Sequence, residues 1–363
     1  MYAISRRART HLVLAASAFA ISAALAVHGA NAEENSGFDI ETVAEGFDNA
    51  WGMAFIPDDG RLLVSERPGR LKLVDRESGE VEEISGLPDI HAQGQGGLLD
   101  IALHPDFPEE NWLYMAWAGT NDDGQSSTFI GRARLDVEEL ALSDLEELFV
   151  AEPFQPAGQG HYGSRLAFDA DNFLYFSIGD RQSKDFGPEH FSQDLSGDLG
   201  KIHRIAADGS VPEDNPFVGQ DGVQPETWSY GHRNIQGAAL NPWTGALWTH
   251  EHGPRGGDEI NLPVAGANYG WPLVTHGINY SGDPSPEAVG SEMEGMEPAH
   301  YVWEVSPGVS GMAFYTHEAA PPWQGNVFVG ALAQTELIRL ELQGEQVAHE
   351  ERLLGELGRR IRD

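Results

Sequence analysis

The chain has no cysteine. Disulfides are excluded, so packing, hydrogen bonds and any bound metal must hold the fold. Lysine is almost absent, with only Lys72, Lys184 and Lys201. The 22 Lys and Arg face 57 Asp and Glu, for a formal net charge of -35. Charge of that sign excludes nucleic acid and anionic membrane as partners. The acids replace lysine along the whole chain instead of forming one tail, which favours adaptation to high salt over an ordinary solvated acidic shell. After residue 32 no apolar run is long enough to cross a bilayer. Helix-period stretches are also scarce, and residues 137–148 are the one helix expected.

What is present begins with a leader. Arg6, Arg7 and Arg9 precede a short Ala-rich apolar run at 11–27, and Ala30-Asn31-Ala32 forms a small-residue cleavage site. This reads as a secretory signal peptide at 1–32, leaving one domain at 33–363 in a periplasmic or secreted protein, with no membrane insertion after cleavage. A membrane anchor fits less well because the run is short. Arg6-Arg7 lacks the usual flanks of a twin-arginine signal, so the general export route is favoured.

The rest of the chain is rich in Gly and Pro and reads as short strands between turns. A weak repeat starts at Met53, Ile101, Leu166, Ala238 and Met312. Each copy is an apolar-Ala-apolar start, a turn, and an aromatic or β-branched strand, followed by a second strand pair. Antiparallel four-stranded units repeated around an axis describe a β-propeller. An irregular β-sandwich ranks lower, because the polar motifs fall at the same place in each copy, at the end of the first hairpin strand or the turn beyond it.

The densest chemistry lies at 230–272. It reads Y-G-H-R-N-I-Q-G, then E-H-G-P-R-G-G-D-E-I-N, then G-A-N-Y-G-W-P. Arginine offers a planar fork to carboxylates. Carboxylate and backbone oxygens suit Ca²⁺. Gly and Pro allow carbonyls to turn inward. Upstream stand G-Q-G-G-L-L-D at 94–100, His161 within G-H-Y-G-S-R-L, and I-G-D ending at Asp180; R-I-R-D ends at Asp363. With these motifs in this order, the chain resembles the soluble PQQ-dependent aldose sugar dehydrogenases of the glucose/sorbosone dehydrogenase family over nearly its whole mature length.

The resemblance carries specific expectations. The fold would be all-β, a six-bladed propeller of four-stranded antiparallel blades. Since only five hairpin copies are visible, the chain is expected to stop within its closing blade, leaving Arg360 and Arg362 poorly held. His161 would be the catalytic base, because imidazole takes a proton near neutral pH. Asp180 would orient it, although that position also suits a turn cap. Arg233 would stabilise negative charge growing on the quinone, with Asn234 beside it. Gln95, Gln236, Tyr280, Arg360 and Arg362 complete the cofactor contacts. Gly253 and Pro254 would offer carbonyls to a cofactor-bound Ca²⁺, and Glu259 and the Tyr269 carbonyl would hold a second, structural Ca²⁺. Trp271 is as compatible with core packing as with ligand stacking. Ala333 stands where some members place a lysine near the quinone. His250 and His252 raise a zinc reading, ranked low for want of a third ligand.

The implied activity is oxidation of the C1 hydroxyl of an aldose to the lactone, with PQQ and Ca²⁺ as cofactors and a separate quinone or cytochrome as electron acceptor. No G-x-G-x-x-G follows a strand and opens a helix, so a nicotinamide is not implied. The other readings are a non-enzymatic propeller that binds a protein or glycan, and a Ca²⁺-dependent lactonase.

Overall fold

The computed structural model describes residues 2–5, 39–184, 186–283, 288 and 290–363. Most of the expected signal peptide, 1–32, therefore lies outside the described residues. The architecture is a β-propeller of five four-stranded antiparallel blades. Blade I comprises Ala50–Phe55, Arg61–Glu66, Arg70–Asp75 and Val81–Ile84, and blade II Leu98–Leu103, Trp112–Thr120, Gln125–Asp136 and Ala141–Val150. Blade III comprises Leu166–Phe168, Phe173–Ile178, Lys201–Ala206 and Thr227–Tyr230. Blade IV runs through Ile235–Leu240, Leu247–Glu251, Asp258–Asn261 and Tyr301–Trp303, and blade V through Val309–Phe314, Val327–Ala331, Leu337–Gln343 and Gln346–Leu353.

The expectation of six blades is thus corrected to five. Each blade needs two apolar hairpin strands to fill the space against its neighbours, and the sequence supplies five such hairpins. Asp39–Thr42, ahead of blade I, pairs with Tyr2–Ser5 in a separate two-stranded ladder.

Strand alternation explains where the core sits. In Trp112–Thr120, Leu113, Met115 and Trp117 point into one cluster with Leu63, Leu71 and Leu73 of blade I. Trp112, Tyr114 and Ala116 point the other way, into a cluster with Leu174, Phe176 and Ile178 of blade III. Successive side chains leave opposite faces of a strand, so a strand buried between two neighbouring blades reads as an unbroken apolar run. Tyr175, Ile202, Ile235 and Leu247 fill the interface of blades III and IV. Trp248, Ile260, Val329 and Ile338 do the same for blades IV and V. Each fully buried Leu, Ile or Phe contributes about 1.5–3 kcal/mol, which accounts for a fold without cross-links.

The helix expected at 137–148 is a strand, Ala141–Val150, paired with Gln125–Asp136. The Asp136 carboxylate accepts the backbone N–H groups of Glu138 and Glu139 at 3.0 and 2.9 Å, which fixes the turn. Leu142 then reaches the core shared by blades I and II. Burial of that leucine and strand pairing override a local pattern that suits a helix equally well.

Candidate active site

The polar motifs gather at one end of the propeller axis. Their position is refined by the structure: His161, Arg233 and Asn234 lie in loops entering the innermost strands, and Asp180, His252, Gly253 and Pro254 lie in loops leaving the second strands. These loops enclose a cavity of about 770 Å³. Of the sequence-predicted residues, Gln95, His161, Arg233, Asn234, Gln236, Gly253, Pro254, Tyr280, Arg360 and Arg362 all line it. Asp180 stands behind the wall, whereas Glu259 and Tyr269 line a separate small pocket.

His161 is held from several sides. Its Nδ1 lies 2.6 Å from Asp180 Oδ1. A carboxylate at Nδ1 fixes that nitrogen as the N–H donor and leaves Nε2 as the proton acceptor. The His161 N–H donates to Gln95 Oε1 at 2.9 Å, and the Gly160 N–H donates to Gln182 Oε1 at 2.9 Å. The backbone of His161 has φ 55°, and Arg181 and Gln182 opposite it have φ 55° and 56°. Left-handed backbone at non-glycine residues is costly and persists where surroundings over-determine it. Burial lowers the pKa of His161, Asp180 opposes the shift, and Arg233 adds to it. The imidazole is therefore neutral, and a proton acceptor, at neutral pH. Asp180 is itself buried; burial raises it, but His161, Arg233 and His190 outweigh that and keep its pKa below the ordinary carboxylate value. Trp271 Nε1 donates to the other carboxylate oxygen at 2.8 Å. Trp271 is thus a buried support for Asp180, and the Arg233 guanidinium carbon lies 5.2 Å from its ring centre.

Glu251 organises the next motif. Its buried carboxylate accepts the Arg233 N–H at 2.5 Å and the Asn234 N–H at 3.2 Å, and contacts His232 Nδ1 at 2.9 Å. Arg233 Nη1 donates to the His252 carbonyl at 3.1 Å, while its buried Nε has no protein partner. Such an orphaned donor on a cavity wall fits an oxygen-rich ligand.

Arg67, Arg233, Arg360 and Arg362 bring four guanidinium groups to the cavity of this acidic protein. Arg67 and Gln182 were not singled out from sequence, since Arg67 sits in an ordinary-looking S-E-R-P-G-R turn and Gln182 follows Asp180 with no distinctive motif. Ala333 contributes a methyl to the same wall. The expectation that Arg360 and Arg362 would be poorly held is not met. The Ile361 N–H donates to the Ala331 carbonyl at 3.3 Å, and Ser310 Oγ donates to the Ile361 carbonyl at 2.6 Å. Burial, then Arg165 and Arg360 beside it, push Arg362 down to about 10. Crowded cations of this kind favour an anionic occupant.

Two oxygen-rich sites adjoin this wall. The Gly253 N–H is tied to Asp258 Oδ1 at 3.0 Å, while Asp258 Oδ2 accepts the N–H groups of Gly308 and Val309 at 2.8 and 3.2 Å. A Cβ at Gly253 would collide with the carbonyl oxygens of Gly256 and Gly257, so only glycine permits this nest of backbone oxygens. Behind it, Glu251, Glu259, Gly253, Gly257 and Tyr269, together with Arg233 and His252, line a pocket of about 20 Å³, room for one small ion. Burial and then the neighbouring Glu251 raise the pKa of Glu259. A hard cation would relieve both effects, so the donors fit Ca²⁺. The Tyr269 hydroxyl faces away, donating to the Leu262 carbonyl at 2.6 Å. His252 Nε2 lies 2.7 Å from the Val309 carbonyl, and His250 Nε2 lies 3.4 Å from the Gly311 carbonyl. Both imidazoles serve blade-to-blade contacts. Among the described residues no group of three or more His, Cys, Asp or Glu is arranged to hold a metal by side chains.

Comparison with known proteins places this geometry in context. The family model for glucose / sorbosone dehydrogenase matches residues 47–363. The chain is 42% identical over 325 residues to aldose sugar dehydrogenase YliI of Escherichia coli (strain K12), covering 90% of this chain and 86% of that protein. A crystal structure of glucose dehydrogenase superposes with a TM-score of 0.85 at 47% identity, covering 89% of this chain and 91% of the other. The PQQ-bound form of aldose sugar dehydrogenase from Streptomyces coelicolor superposes with a TM-score of 0.71 at 29% identity, over 89% of this chain and 86% of that one.

Proposed function

As a member of the glucose/sorbosone dehydrogenase family, the chain is one for which we propose oxidation of the C1 hydroxyl of an aldose to the lactone, with PQQ and Ca²⁺ as cofactors. The observation that carries this reading is the buried His161–Asp180 pair, 2.6 Å apart, at a cavity walled by four arginines. A binding module has no need of an oriented, unprotonated imidazole beside an anion site.

The residues divide the work. Oxidation removes a hydride from C1 and a proton from its hydroxyl. His161 Nε2 takes the proton, and Asp180 holds the tautomer and stabilises the imidazolium that results. When bound, PQQ supplies the two-electron acceptor for the hydride. Arg233 and Asn234 would stabilise negative charge on the cofactor oxygens, and Arg360 and Arg362 would hold its carboxylates. Gln95 keeps the His161 loop in place through the His161 N–H. Gln236 and Tyr280 line the cavity, with Tyr280 74% exposed at its rim. The carbonyls of Gly253 and Pro254 would hold one Ca²⁺ beside the cofactor; Glu259 and the Tyr269 carbonyl would hold the second. A separate quinone or cytochrome would serve as the final electron acceptor. The basic n-region, apolar run and Ala30-Asn31-Ala32 support export to the periplasm or beyond.

The test is reconstitution. Purified apoprotein given PQQ and Ca²⁺ is expected to reduce an artificial dye when supplied with aldoses. Absence of aldose-dependent dye reduction, with the protein folded and PQQ in excess, overturns the reading.

A further inference from the structure

The segment bearing Arg360 and Arg362 ends in a side chain that no proposed function yet uses. Asp363 reaches back across the propeller axis. Its Oδ1 lies 2.8 Å from Arg165 Nη1 of the loop entering blade III. Its Oδ2 accepts the Met53 N–H of blade I at 3.0 Å. A second carboxylate completes the arrangement: Asp100 Oδ1 lies 3.2 Å from the same Arg165 nitrogen, and Asp100 Oδ2 accepts the Leu166 N–H at 2.8 Å. Arg165 Nε donates to the Gln236 carbonyl of blade IV at 2.6 Å. Arg165 is therefore a fixed, buried cation tied to Asp100 of blade II and Gln236 of blade IV, and it offers the 360–363 segment an anchor for Asp363.

The track for that segment is cut by glycines. A Cβ at Gly311 would stand 2.7 Å from the Asp363 Cα, and one at Gly330 would stand 2.8 Å from the Ile361 carbonyl oxygen. Both are closer than real Cβ atoms approach, so blade V accepts the segment only because these positions have no side chain. On the other flank, Trp51 of blade I lies between two guanidinium groups. The Arg165 carbon is 4.4 Å from its ring centre, and the Arg362 carbon is 5.7 Å away. Among the described residues no carboxylate lies within salt-bridge distance of Arg362. What sets its position is the backbone on either side, anchored at Ile361 and at Asp363.

We propose that Asp363 is a positioning residue: clamped by Arg165 and the Met53 N–H, it holds the 360–363 segment so that Arg360 and Arg362 face the cavity and bind the carboxylates of its ligand. The inference rests on the reading that this cavity takes PQQ. It adds a residue that touches neither cofactor nor substrate and acts through two that do. Fixing a long cation before binding removes the cost of ordering it at binding.

Two measurements test it. The first follows PQQ binding to the full chain with Ca²⁺ present, by quenching of tryptophan fluorescence. Asp363→Ala is expected to weaken binding about 10- to 100-fold, and Asp363→Asn, which keeps an acceptor for Met53 but loses the charge, by less. In an R360Q/R362Q background Asp363→Ala is expected to change affinity less than about twofold, because the partners it acts through are gone. A penalty of equal size in both backgrounds, or wild-type affinity in Asp363→Ala, overturns the proposal. The second measurement is amide exchange of the ligand-free protein. Ile361 is expected to lose protection in both Asp363 variants while blades II to IV keep theirs; unchanged protection at Ile361 also overturns it. If the wild-type chain binds no PQQ while Ile361 behaves as expected, the cofactor reading fails and the clamp remains only as a structural contact, so the proposal falls with it.

Discussion

At the scale of residues, the site is a problem of keeping one imidazole neutral and aimed. His161 lies under burial and beside Arg233, both of which oppose its protonation, with Asp180 at 2.6 Å working the other way. Removing the imidazole removes the base that Asp180 orients at the cavity. His161→Ala is expected to lower turnover by roughly 10²–10⁴-fold while leaving PQQ affinity within a few-fold of wild type; near-normal turnover takes His161 out of the mechanism. The sign of the pH dependence follows from the same forces. A base must be unprotonated to act, and its pKa in the folded protein lies below the ordinary value of 6.5. Activity is therefore expected to hold down through pH 6.5 and fall only on further acidification, as His161 takes up a proton. Turnover measured from pH 4 to pH 8 at saturating aldose checks this, and an acid limb centred above 6.5 contradicts the assignment.

At the scale of elements, most of the fold was legible and part of the site was not. Hairpins are legible because a strand buried on both faces needs an apolar run such as W-L-Y-M-A-W at 112–117 and a turn after it. Counting those hairpins gives five, and five blades form; six came from family resemblance, not from the residues. The strand Ala141–Val150 was misread because its leucines and acids also suit a helix, and only pairing with Gln125–Asp136 decides between them. His161 and Asp180 were legible as a pair because their loops flank the same hairpin of blade III. Arg67, Arg165 and Asp363 were not, since their roles depend on blades far apart in sequence that meet at the axis. The loop at 252–259 makes the element-scale prediction. Its candidate metal donors are backbone carbonyls and a half-buried Glu259 lying close to Glu251, so an oxygen-binding cation should stabilise blade IV. EDTA is expected to lower the melting temperature and the activity together, with Ca²⁺ restoring both better than Zn²⁺. Indifference to chelation, or best rescue by Zn²⁺, contradicts both calcium assignments.

At the scale of the whole molecule, charge dominates. The 57 acids outnumber the 22 Lys and Arg, and several of the cations are spent inside. Arg165, Arg181, Arg233 and Lys201 are buried at the axis, the cavity or the blade III core. The outer surface is accordingly more one-sided than the composition suggests. Its remaining cations are mostly paired: Arg61 with Asp59 and Glu138, Arg70 with Glu66 and Asp48, Lys72 with Glu83, and Arg352 with Glu336 and Glu350. Apart from the buried Glu66, these are exposed pairs, which contribute about 0–1 kcal/mol each and weaken as salt is added. Repulsion among the unpaired carboxylates is the larger effect, because far more acids than bases remain on the surface, and it too is screened. At 1 M salt the Debye length is about 3 Å, shorter than the spacing of most surface carboxylates, so repulsion is lost while the apolar cores between blades are untouched. Screening therefore relieves more than it removes. The melting temperature is expected to rise steadily from low salt to molar NaCl, and to rise further in KCl or NaCl than in an equal osmolarity of sucrose, which does not screen. A melting temperature that is flat or falls over that range, or that sucrose raises equally, rejects the salt-adapted surface and leaves the acidic shell as simple solvation.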